Sequence, residues 1–80
     1  MNRRARLKTA VQDVWQYTAL QQVRPLWVLN ATEVSNGDLW LVRMSGKQRI
    51  NPTDWLVRDL DGEPDWVADE VFRRSYEMVT

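Results

Sequence analysis

Eighty residues without cysteine or histidine, with 11 Lys+Arg balanced by 11 Asp+Glu, exclude several functional classes at once. A chain of this length makes one small domain and buries only about 60% of its unfolded surface, which leaves little core for a deep catalytic pocket. There is no disulfide framework, no zinc site of the usual kind, no imidazole base and no thiol nucleophile, so no metal and no cofactor is expected and the chain does not read as an enzyme.

No run of about 18 apolar residues occurs, and the basic stretch from Met1 to Lys8 lacks the apolar segment of a signal peptide, so the expectation is a cytoplasmic protein. An apolar content of 44% with five tryptophans argues for a folded domain, and aromatics spread from Trp15 to Trp66 read first as core. The neutral total hides a split. Arg3, Arg4, Arg6 and Lys8 open the chain with four positive charges, leaving 7 basic against 11 acidic residues. Within residues 54–70 seven acids stand against Arg58 alone.

In chain order, the N-terminal segment supports two readings. Leu7, Val11, Val14, Trp15 and Thr18 fall at helical spacing among good helix formers, which favours a helix from Arg4 to Gln22. Val11, Trp15 and Tyr17 also share one face at period two, among β-branched and aromatic residues, which favours a strand. Pro25 suits the first turn of a helix because its missing amide is unbonded there anyway, and Leu26, Val28, Leu29 and Ala31 carry that helix to Thr32.

The second half is punctuated by turns. Asn36-Gly37-Asp38 opens a strand over residues 39–44, Ser45-Gly46 closes it, and Lys47 to Ile50 returns as its partner. Asn51-Pro52-Thr53 breaks the ladder and a third strand runs from Asp54 to Asp59. Asp61-Gly62 is a strong turn dipeptide, followed by a brief strand over residues 63–67. Asp69 caps a short helix through Arg73 that buries Val71 and Phe72, and residues 76–79 finish as an edge strand. The fold class is α+β: one domain over residues 1–80, a small twisted, mainly antiparallel sheet with two short helices, and residues 1–7 as a candidate flexible basic arm. Trp55, Val57, Val71 and Phe72 are the predicted core.

Pro52-Thr53-Asp54-Trp55-Leu56-Val57, then Asp61-Gly62-Glu63, Phe72 and Ser75-Tyr76-Glu77, resemble a family of small proteins encoded in tailed-phage genomes and prophages. Members typically read P-G-D-W-I-I, a turn with G-E, then Y-P-C-K-P-D-I-F and T-Y-E. Val14-Trp15-Gln16-Tyr17-Thr18 and Pro25-Leu26-Trp27 align more faintly. This chain departs from the pattern in two places: Thr53 replaces the turn Gly, and Trp66-Val67-Ala68-Asp69 stands where the family has P-C-K-P. The resemblance implies phage origin, an α+β fold and an N-terminal strand rather than a helix. It assigns no catalytic residue.

Asp59, Asp61, Glu63 and Asp65 crowd one turn, where paired carboxylates could do acid/base work but more often form a solvated rim. The D-L-D-G-E-P-D run lacks the register and terminal Glu of a calcium loop, and three scattered glycines cannot cradle a phosphate. Arg3, Arg4, Arg6 and Lys8 could pair with phosphates, which makes a nucleic-acid-associated regulator the alternative function, although the acidic 54–70 stretch would repel a duplex. Both sides of the 39–44 and 54–59 strands are substantially apolar, so the N-terminal segment or a partner must cover the second face.

The resulting functional expectation is a small phage-encoded accessory protein in the host cytoplasm that binds a host protein and inhibits or redirects it, as in host takeover or anti-defence. Asp59, Asp61, Glu63 and Asp65 would form a charged rim beside an exposed Trp66 anchor, an arrangement that protein interfaces favour. The face carrying Leu39, Leu41 and Leu56 is the second candidate.

Overall fold

The computed structural model describes residues 3–7, 10–58 and 62–79, which build two antiparallel sheets and two short helices. The elements are β1 (Arg3–Leu7), β2 (Ala10–Gln16), α1 (Leu26–Ala31), β3 (Thr32–Ser35), β4 (Asp38–Arg43), β5 (Gly46–Ile50), β6 (Trp55–Arg58), β7 (Asp65–Val67), α2 (Asp69–Ser75) and β8 (Glu77–Val79). A five-stranded sheet has the order β7-β6-β2-β1-β8, and a three-stranded sheet has the order β3-β4-β5. The mixed α+β class and both helices agree with the sequence expectation.

The N-terminal segment is a pair of strands, as the family likeness implies, and not a helix. β2 lies between β1 and β6, with Val14 opposite Val57 and Trp15 opposite Leu56. Val14 and Trp15 point to opposite faces and are both buried, Val14 with Ala5, Trp55, Val57 and Phe72, Trp15 with Tyr17, Trp27, Leu41 and Leu56. A strand buried on both faces reads as a nearly continuous apolar run, which periodicity cannot tell from a helix. The basic residues expected as a flexible arm instead supply β1, paired with β2 on one side and β8 on the other. Lys8 lies outside the described residues.

A second correction concerns the sheets. The strands expected to form one sheet belong to two, because the chain leaves β5 at Ile50 and enters the other sheet at Trp55. The three-stranded sheet and α1 therefore cover one face of the five-stranded sheet, and α2 lies against the other. Asn36 and Gly37, with φ of 54° and 79°, form the two-residue link from β3 to β4 that a right-twisted hairpin favours. β3 itself was not anticipated.

On the α2 side, Phe72 is sandwiched between Trp55 and Tyr76, with ring centroids 3.8 and 4.6 Å away and planes within 5° of parallel. Val71 is 44% exposed, so the predicted core holds for Trp55, Val57 and Phe72 but not for Val71: a seven-residue helix lying on a sheet buries a single side chain. Asp69 sits one residue inside the helix, whose N-cap position is Ala68. Its carboxylate accepts the Trp55 indole N–H at 2.9 Å and a bond from Arg73 at 3.0 Å. The Trp55 bond first, then Arg73, hold its pKa below the ordinary 3.8, against the opposing effect of burial. A depressed carboxylate pKa adds stability that is present above the ordinary value and lost as pH falls through the folded one.

The crossing between sheets is pinned at Tyr17, whose N–H donates to the Asp54 carbonyl at 2.9 Å and whose carbonyl accepts Thr53 N–H at 2.8 Å. These bonds hold Thr53 at φ 81°, a region hostile to a β-branched residue. The resembled family has glycine at this position. Thr53→Gly is therefore expected to stabilise the domain by about 1 kcal/mol, because relief of roughly 1–3 kcal/mol of backbone strain exceeds the added unfolded-state entropy. Chemical denaturation of the two proteins checks it, and a Thr53→Gly protein less stable than the parent contradicts it.

Candidate functional site: a groove between the two sheets

The tetrapeptide Trp-Leu-Val-Arg occurs twice, at residues 40–43 in β4 and 55–58 in β6. Leu41 and Leu56 are each 0% exposed and meet in the core between the sheets. Strand side chains alternate, so the residues two positions on, Arg43 and Arg58, emerge on the same inner sides. Both line one groove of about 650 Å³, together with Trp27, Asn30 and Ala31 of α1, Val42 and Met44 at the end of β4, and the 62–64 segment. A smaller recess of about 290 Å³ shares Trp27, Asn30 and Arg58 and is edged by Leu26.

The two arginines are held differently. Arg58 donates through Nη2 to Asp13 at 2.7 Å, and its guanidinium carbon stands 5.0 Å from the centre of the Trp27 ring. Asp13 is 3% exposed and is also contacted by Arg4 Nε at 3.4 Å. Arg43 donates through Nη1 to Asp65 at 2.7 Å, in a pair whose side chains are 31% and 65% exposed. Such an open pair is worth about 0–1 kcal/mol, so it restrains Arg43 only loosely.

Three N–H donors on the groove residues, Trp27 Nε1, Arg43 Nε and Arg58 Nε, are buried and have no acceptor among the described residues. Three apolar side chains edge the same region in solvent: Met44 at 96% exposure, Leu26 at 71% and Val42 at 41%. The groove thus has an apolar rim, while the three unpaired donors of its lining residues are themselves closed to solvent. Neither the acid cluster nor the basic arm pointed to it. The signal available in the sequence was the repeated tetrapeptide, whose two arginines fall at matched positions of facing strands.

Only half of the expected acidic rim lies among the described residues. Asp59 and Asp61 lie outside the described residues, Glu63 is exposed on the groove wall, and Asp65 is engaged by Arg43 and by the Trp66 backbone N–H. Trp66 is not the exposed anchor that was expected. It is half-buried against the inter-sheet core, and its indole N–H donates at 2.9 Å to Asp54, itself 8% exposed. The physical reason is register: Trp66 stands opposite Leu56 on β6 and so shares the inward face. The second candidate face fails likewise, because Leu39, Leu41 and Leu56 are all core.

Of the basic residues, Arg4 is occupied with Asp13, while Arg3 and Arg6 contribute backbone to β1. No group of three or more metal-ligating side chains gathers among the described residues, and no helix is long and apolar enough to cross a membrane.

Trp66→Phe keeps the ring but removes the donor that Asp54 faces. The expected cost is about 1–3 kcal/mol of stability, the penalty for a buried acceptor that loses a partner. Denaturant melts of the two proteins measure it, and an unchanged midpoint would place Trp66 back among the free surface residues.

Comparison with protein-family models, with curated proteins and with solved structures finds no match to this chain, so the likeness to the tailed-phage family rests on the quoted residues themselves.

Proposed function

We propose that the protein is a small phage-encoded accessory protein that acts in the host cytoplasm by binding a host protein, blocking or redirecting it without bond chemistry. The groove between the sheets is its docking face. The observation that carries this reading is the cluster of solvent-exposed Met44, Val42 and Leu26 around a floor containing Trp27 and Arg58. Apolar side chains surrounding a recess with aromatic and arginine groups match the composition of interface centres, where Trp, Met and Arg are enriched. Phage origin is supported by the family likeness.

Nucleic-acid binding is less well supported by the geometry, because Arg4 already faces Asp13 and Arg3 and Arg6 sit within a paired strand. The host-inhibitor reading is tested by affinity capture from host lysate with the parent and with the double variant Val42→Glu, Met44→Glu. Both residues are solvent-exposed, so the variant is expected to melt within a few degrees of the parent while losing the captured protein. Equal capture by both proteins would move the docking face elsewhere, and retention of oligonucleotides that weakens steeply with salt would favour the nucleic-acid alternative.

A further inference from the structure

We infer that Met44 is an oxidation site on the groove rim: a peroxide converts its thioether to the sulfoxide, and the modified protein loses its docking face while keeping its fold. The inference concerns regulation of the face proposed above and rests on that reading.

Access is the first argument. Met44 is 96% exposed, against 41% for Val42 on the same rim, and oxidation of a thioether follows the approach of the oxidant to sulfur. The backbone keeps it there. Met44 and Ser45 form the two-residue turn between β4 and β5, and the ladder closes on both sides of them, with Arg43 opposite Gly46 and Val42 opposite Lys47. A turn held at both ends by paired strands does not carry its side chain back into the core.

The step needs one co-reactant, hydrogen peroxide. A sulfur lone pair attacks one peroxide oxygen, the O–O bond breaks and an S–O bond forms. The proton of the transferred hydroxyl passes to the departing hydroxide, which leaves as water. Sulfur loses two electrons and the peroxide gains two. A methionine sulfoxide reductase reverses the change.

Position then decides the consequence. Met44 lies outside both core clusters, so the fold has no packing at stake in its sulfur. With Val42 and Leu26 it supplies the apolar rim of the groove. The sulfoxide oxygen is polar and accepts hydrogen bonds from water. A partner that covers Met44 must strip that water away, which weakens docking by about fivefold or more.

The test treats the full-length protein and its Met44→Leu variant with hydrogen peroxide and follows Met44 by peptide mapping. Met44 is expected to oxidise within about threefold of the rate of N-acetyl-methionine amide, and a rate about tenfold or more below that compound overturns the inference. The oxidised parent is expected to melt within a few degrees of the treated Met44→Leu variant; a larger gap would show that the sulfur supports the fold and also overturns it. In capture from host lysate, the oxidised parent is expected to hold the bound protein about fivefold less well or worse. Methionine sulfoxide reductase should restore that capture, and Met44→Leu should capture equally before and after peroxide. Equal capture by the oxidised and unoxidised parent overturns the inference and leaves the docking face standing. No capture by the unoxidised parent removes the docking face and its regulation together.

Discussion

The arrangement of this domain depends on one buried carboxylate. Asp13 sits in the middle of the five-stranded sheet at 3% exposure, where a lone charge would be expelled by its desolvation cost. Register answers this: Arg4 on β1 and Arg58 on β6 flank Asp13 in one cross-strand row, and both guanidiniums reach it. The row also fixes the second layer. Arg58, drawn to Asp13 by one edge, lies over the face of Trp27, so the same cation neutralises the sheet and seats α1, a contact that contributes about 0.5–2 kcal/mol when partly desolvated.

From that anchor the division of labour among the aromatics follows. Trp15, Tyr17 and Trp27 fill the space between the sheets, while Trp55, Phe72 and Tyr76 stack on the opposite side to hold α2. Because the shared core ends at Leu41 and Leu56, the next inward-facing residues on both strands are arginines, and the space between the layers opens into a polar-floored groove rather than closing. The groove is a consequence of where the apolar run stops.

Much of the fold was legible because local chemistry decided it. Pro25, Asn36-Gly37, Ser45-Gly46 and Pro52 each mark a boundary within a residue or two of an observed one, since turn residues act through their own backbone. What was not legible depended on partners distant in sequence. Val14 and Trp15 look helical until β6 and β1 are placed on either side of them. Trp66 looks like a surface anchor until its register with Leu56 is known, and β4 and β6 look like one sheet until Tyr17 is seen to hold the crossing. The groove was hidden for the same reason: Arg43 and Arg58 are 15 residues apart, and only the facing of two strands brings them to one site. The acidic run drew attention by composition, but composition does not reveal that Asp65 is engaged by Arg43 or that Asp54 is buried beneath Trp66.

The dependence of the fold on the Asp13–Arg58 pair is most directly measured by a double-mutant cycle using Asp13→Asn and Arg58→Met, followed by chemical denaturation. Arg58→Met leaves a buried carboxylate with only the exposed Arg4 beside it and is expected to cost on the order of 3–5 kcal/mol. The double variant, having no charge to strand at Asp13, is expected to be more stable than Arg58→Met alone. Stabilities that add within about 0.5 kcal/mol would show that the two side chains act independently and would contradict the account.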